Sequence, residues 1–293
     1  MLVEARAKIN WSLDITGQRE DGYHLMDMLM QPIALCDNVT LLPADALTLT
    51  TGGDPRLPPS EKHLALRAAR ALQAHTGYPS GAAIHVEKRI PIGAGMGGGS
   101  ADAAAVLFGL NRLWKTGLSP AELEALGLTL GADVPFCLRG GLTRPTGVGE
   151  IMEPLPSGRD WPLVVIQPCR GLSTGTVFEA YHQQADVVHP MTDSAALALA
   201  SGDLPLMKQS LGNVLQPVSE ELRPDIGRAL LALRRHGAAL ALMTGSGSAV
   251  FGVFPRDSLA QAVSQRLKAR WRYTFHTRTC RHSLVWRENV AAD

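Results

Sequence analysis

Residues 3–15 alternate in character along the chain. Val3, Ala5, Ala7, Ile9, Trp11, Leu13 and Ile15 fall on one side, and Glu4, Arg6, Lys8, Asn10, Ser12 and Asp14 on the other. A period of two predicts a half-buried strand, on which Lys8 and Asn10 share a face about 7 Å apart. The segment GQREDG supplies turn residues, with Asp21-Gly22 a strong hairpin signal, and residues 23–35 read as the returning strand. Positions 43–60, rich in Pro, Gly, Asp and Thr, read as short strand and loop. The period changes over 61–76, where Leu64, Ala68, Ala71 and Leu72 mark one face of a helix.

Residues 83–90 predict a strand with Ile84 and Val86 inward, running into the glycine-rich segment 91–100. Ser100 is placed to N-cap an alanine-rich helix reaching about residue 114, and Ser119 with Glu122 forms a capping box with Pro120 at the first helical position. The composition turns loop-like over 154–162, which divides the chain into domains 1–157 and 158–293. Beyond it the pattern predicts a strand (163–167), several helices, strands at 239–243 and 249–254, a helix (258–271) and a strand (272–279). Two helices on an antiparallel sheet suit that order.

Length and charge narrow the partners. At 293 residues with 45% apolar positions the chain is at the size where one domain becomes two. Lys and Arg total 28 against 27 acidic residues, a balance that gathers neither nucleic acid nor anionic membrane and points to a small-molecule partner. Cys36, Cys137, Cys169 and Cys280 are far apart and lack metal-ligand spacing, so reduced thiols in a cytoplasm are expected. No apolar run approaches a membrane span, and the charged opening MLVEARAK lacks the apolar stretch of an export signal.

Five of the seven residues 93–99 are glycine. Between a strand and a helix, such a run lets successive amides and the positive end of the helix approach an anion, which suits phosphates. A dinucleotide fold would need a second strand ending in an acidic residue about 20 positions on, where a capping box starts another helix instead. A Walker loop would need a lysine where Ser100 and Ala101 stand. Phosphoryl transfer also needs a cation and a group to orient or deprotonate the acceptor. Lys8 and Asp133 are the candidates, against a solvated lysine and an aspartate that only forms a turn.

Six elements taken in order resemble the GHMP small-molecule kinases: AKIN (7–10), DGYH (21–24), PIGAGMGGGSADAA (91–104), LGADVPF (130–136), TGVGE (146–150) and TGSGSAVF (244–251). DGYH marks the branch acting on diphosphocytidyl-methylerythritol. The resemblance implies a two-domain α+β fold, with an N-terminal domain like ribosomal protein S5 domain 2 and a ferredoxin-like C-terminal domain. It implies ATP and Mg2+ as cofactors, and a substrate carrying a cytidine diphosphate group. Lys8 and Asp133 would be the catalytic pair. Pro91, Ile92, Gly93, Ala94, Gly95, Met96, Gly97, Gly98, Gly99, Ser100 and Ala101 would wrap the triphosphate. Asn10, Tyr23, His24, Thr174 and Phe178 would hold the acceptor, the aromatics serving the cytosine. Magnesium ligands are not named by the sequence. Ser100 and Asp102 lie near the loop, and Asp102 serves equally well against the helix dipole. The competing readings are another acceptor of the family (mevalonate, homoserine or a sugar), an ATP binder without chemistry, and a nucleic-acid binder using the basic, aromatic stretch 266–287.

Overall fold

The computed structural model describes residues 1–54 and 61–288, so part of the loop expected at 43–60 lies outside the described residues. The chain opens with the predicted hairpin, both strands longer than the alternation suggested. Strand β1 (Leu2–Gln18) pairs antiparallel with β2 (His24–Ala44). Then follow β3 (Thr48–Gly52), α1 (Leu64–Thr76), β4 (Gly81–Glu87), α2 (Gly98–Leu113), α3 (Pro120–Leu128), α4 (Val134–Arg139), β5 (Leu142–Gly147) and β6 (Ile151–Leu155). With β11 (Leu284–Arg287), these strands build one sheet in the order β11-β1-β2-β4-β3, in which β5 pairs with β2 and β6 with β5. Its edge strand β11 comes from the end of the chain and pairs with residues 2–5 of β1.

The half-buried reading of β1 needs correcting. Every residue from Ala7 to Ile15 is buried, on both faces. Register shifts between Arg6 and Lys8, and again between Asn10 and Ser12, re-aim the alternation, as bulges do. Val3 and Ala5 pack with Val106 and Leu107 of α2, whereas Ala7, Ile9 and Trp11 pack with Leu163, Val165 and Phe251 from the second half of the chain. Trp11 meets Phe251 edge-on at 5.5 Å and donates its indole N–H to Gln31 at 2.8 Å. Burial of one large apolar side chain contributes roughly 1.5–3 kcal/mol, so this cluster is a firm joint between the halves. The polar row Lys8 and Asn10 therefore faces a cleft rather than solvent.

The second half continues with β7 (Pro162–Ile166), α5 (Thr174–Tyr181), α6 (Thr192–Ser201), α7 (Leu204–Ser210), α8 (Gln216–Leu222), α9 (Pro224–Arg235), β8 (Leu240–Met243), β9 (Val250–Val253), α10 (Asp257–Lys268) and β10 (Thr274–Arg278). Strands β10-β7-β9-β8 form an antiparallel sheet on which α9 and α10 pack. The order β7, α9, β8, β9, α10, β10 is the ferredoxin-like pattern, with α5–α8 inserted after its first strand. Trp271 is buried in the core beneath Arg270, and Arg112 covers Trp286, so these aromatics of the basic C-terminal stretch are engaged within the fold. No helix among the described residues is long and apolar enough to cross a membrane.

Candidate active site

The glycine run leaves β4 and enters α2 through backbone that only glycine adopts readily. Gly95 has φ +75° and Gly97 φ +67°. A Cβ on Gly95 would stand 2.3 Å from the Thr244 carbonyl oxygen, and one on Gly97 3.1 Å from Cγ of Lys8. The predicted Ser100 N-cap is not formed. Gly97 is the N-cap and α2 starts at Gly98, so Ser100 lies inside the first turn. The reason is the left-handed glycine, which turns the chain into the helix earlier and leaves the first amides without a side-chain cap.

The carbonyls of this loop are turned into the protein. Ile92 accepts from Nε2 of Gln167 at 3.0 Å, Ala94 from the Ala249 amide at 3.1 Å, Gly95 from Oγ1 of Thr244 at 3.3 Å and Met96 from the Lys8 amide at 3.0 Å. Among the described residues the amides of Gly95, Met96 and Gly97 donate to nothing. With carbonyls bound behind it, the loop presents N–H groups and a helix N-terminus to a cavity of about 590 Å³ lined by residues 90–100, Lys62, His63 and Lys88. Substitution of Gly95 by Ala is expected to lower the melting temperature and to weaken nucleotide binding together, because the added Cβ meets backbone of the neighbouring loop. Thermal melts with and without an ATP analogue check it.

A second cavity of about 420 Å³ lies on the other side of Gly95 and Gly97, which line both, as does Thr174. At the shared wall, Nζ of Lys8 donates to Oδ1 of Asn10 at 2.7 Å and lies 3.7 Å from Oδ2 of Asp133. Lys8 is buried while the Asp133 side chain is 36% exposed, so the carboxylate opens into the cavity with the ammonium behind it. Asp133 stands at the N-cap of α4 with helical backbone, yet its side chain makes no capping bond. The solvated alternative for Lys8 fails on its burial, whereas Asp133 does stand in the turn that enters α4, with its side chain directed to Lys8 rather than to the helix amides.

The remaining predicted residues converge on this second cavity: Asn10, Tyr23, His24, Thr174 and Phe178 all line it. The ring of His24 stacks on Phe178 at 4.3 Å, and its Nε2 lies 2.8 Å from Nε2 of His182. Desolvation, with His182 adding to it, lowers the His24 pKa and favours the neutral ring. Tyr23 is 64% exposed, which rules out a core role for it. Thr174, at the start of α5, pairs with Ser246 at 3.2 Å.

Other contributors escaped the sequence reading. Thr244 accepts the Asn10 amide at 3.0 Å while reaching the glycine loop, and Asn213 holds the carbonyls of Met243 and Gly245 at 3.0 and 2.8 Å. Together they lock the late loop, 244–249, against the first. Thr244 heads the late glycine motif TGSGSAVF, whose resemblance to the family gives the element but not the role of its threonine. Asn213 carries no local signal. Asp102, considered for magnesium or the helix dipole, is instead fully buried and bonded to Lys88 at 2.6 Å.

The family model described as "GHMP kinases N terminal domain" matches residues 63–141, and that described as "GHMP kinases C terminal" matches 195–272. The chain belongs to the GHMP kinases. A 4-diphosphocytidyl-2-C-methyl-D-erythritol kinase from Symbiobacterium thermophilum is 40% identical over 95% of this chain and 99% of its own length. The crystal structure of a 4-(cytidine 5'-diphospho)-2C-methyl-D-erythritol kinase superposes with a TM-score of 0.83 at 35% identity, covering 95% of this chain and 99% of that one. A homoserine kinase from Cytophaga hutchinsonii shares the fold at a TM-score of 0.76 and 19% identity, over 97% of this chain and 96% of that one. The two-domain GHMP kinase architecture therefore holds for this chain, and within that architecture the fold alone does not choose the acceptor.

Proposed function

We propose that this kinase transfers the γ-phosphoryl group of Mg-ATP to the 2-hydroxyl of 4-diphosphocytidyl-2-C-methyl-D-erythritol. The observation that carries the reading is the placement of Asp133 and Lys8 at the wall between two cavities, one lined by free amides and the other by aromatics. The amide-lined cavity suits the triphosphate of the donor. The aromatic cavity suits a cytidine group, stacking supplying affinity and polar edges supplying base identity. The relatives named for the same acceptor support the choice.

In this reading the hydroxyl gives its proton to Asp133 as its oxygen forms the new bond to the γ-phosphorus. The bond from that phosphorus to the β,γ-bridging oxygen breaks and ADP leaves. Lys8 orients the carboxylate and offsets negative charge gathering on the phosphoryl oxygens. Among the described residues no cluster of three or more His, Cys, Asp or Glu could hold a metal. Magnesium is carried on the phosphates of its nucleotide, as part of the donor substrate, where phosphate and water oxygens with at most one or two protein groups complete its shell.

The deciding experiment measures ADP release with Mg-ATP and the cytidyl acceptor, beside mevalonate, homoserine and galactose. Turnover confined to the cytidyl compound is expected. Turnover only on another acceptor would keep the chemistry and overturn the pocket assignment. Within the pocket, replacing Tyr23 by Ala is expected to raise the acceptor KM roughly 5- to 100-fold, the range of one lost stacking contact, and to leave the KM for ATP unchanged. An equal rise in both would place Tyr23 outside the acceptor site.

A further inference from the structure

Lys88 sits between the end of β4 and the glycine loop, with its side chain 3% exposed. Its ammonium donates to Oδ2 of Asp37 on β2 and, at 2.6 Å, to Oδ2 of Asp102 on α2. Both carboxylates are fully buried. The other oxygen of Asp37 accepts the amides of Arg89 at 2.6 Å and Ile90 at 2.8 Å, the residues that lead into the loop. Asp102 lies just past the loop's exit, in the second turn of α2. The three side chains thus tie together β2, the loop's entry and the helix at its far end. Lys88 also lines the nucleotide cavity, and its Nζ lies 3.5 Å from where a Cβ on Gly98 would stand.

A buried ion cluster is a poor way to gain stability, since apolar groups of the same shape do as well or better, while loss of one partner leaves an uncompensated charge. What it supplies is fixed geometry. The cluster meets the loop only at its two ends, and the middle is held separately by the carbonyl contacts from Gln167, Thr244, Ala249 and Lys8. With two carboxylates against one ammonium, and Oδ1 of Asp102 buried without a partner, the cluster is best balanced when Asp102 is neutral. Burial, foremost, raises the Asp102 pKa well above the ordinary carboxylate range, in the same direction.

We propose that Lys88, braced by Asp37 and Asp102, is a positioning residue that sets the spacing between the two ends of the phosphate loop, and so governs binding of the nucleotide donor rather than the transfer step. The proposal rests on reading this loop as the ATP site. Its signature is a split between kinetic constants. Lys88→Met is expected to raise the KM for ATP at least tenfold, with kcat and the acceptor KM changed by less than threefold. Since Lys88→Met leaves the Asp37 carboxylate buried without its counter-charge and threatens folding, the triple variant Lys88→Met, Asp37→Asn, Asp102→Asn is measured beside it, with folding checked by thermal melt.

Calorimetric titration with a non-hydrolysable ATP analogue is the second readout. The wild-type protein is expected to bind the analogue, and the folded triple variant to bind it at least tenfold more weakly. Wild-type affinity in the folded triple variant would overturn the positioning role while leaving the donor site intact. A kcat loss with unchanged KM for ATP would also overturn it. Failure of the wild-type protein to bind the analogue would remove the donor-site reading itself and this proposal with it.

Discussion

Replacing Asp133 by Asn is expected to lower kcat by roughly 100- to 10,000-fold, the usual contribution of a general base. The amide keeps the shape of the carboxylate but cannot take the acceptor's proton at neutral pH. The fold should not suffer, since the Asp133 side chain makes no capping bond to α4 and is partly exposed. Substitutions at such positions change stability by about 0.5 kcal/mol or less. Nor should donor binding, because the nucleotide cavity is lined by the loop and by Lys62, His63 and Lys88, not by Asp133. Single-turnover rates and binding of an ATP analogue, measured on the same preparation, separate the two effects. Near-normal turnover in a folded Asp133→Asn protein would remove Asp133 as the base.

Where the sequence was legible, local chemistry and tertiary demand agreed. The capping box at Ser119 and Glu122 forms as expected, because both halves of the motif are within four residues and need no distant partner. The hairpin at Asp21-Gly22 forms for the same reason, with Gly22 at φ +88°. Readings failed where long-range contact overrode local pattern. Ser100 looks like a cap, yet the left-handed Gly97 starts α2 earlier. The polar row of β1 looks solvated, yet bulges and the second half of the chain cover it.

The site divides in the same way. Lys8, Asn10 and the glycine run could be found because each lies in a distinctive local pattern. Thr244 and Asn213 could not, because their roles exist only once residues more than 200 and about 30 positions apart, respectively, have met. The Lys88 cluster was hidden differently. Lys88 and Asp37 carry no local signal, and Asp102 beside the loop reads as a magnesium ligand or a helix-dipole partner until the fold shows all three buried together. Charged residues are rarely buried without a partner, so burial itself is the signal, and it is invisible in one dimension.

Removal of the Lys8 ammonium is the other change with a large expected effect. Lys8→Met should lower kcat roughly 100- to 1,000-fold, the range for loss of one preorganised electrostatic group. Two consequences of the geometry add up. Asp133 loses the cation that lies 3.7 Å away, and Asn10 loses the donor that fixes its side chain at 2.7 Å. Lys8→Arg should not restore the rate. The lysine stem runs past Gly97, where even a Cβ would come within 3.1 Å of Cγ, so the slot has no room for a branched guanidinium. The decisive test is the double variant Lys8→Met with Asp133→Asn. If the ammonium acts mainly through the carboxylate, the double variant is about as slow as the slower single one, because groups that act as a unit are not additive. If the two losses multiply instead, Lys8 acts on the phosphoryl group independently of Asp133, and its role is charge stabilisation alone.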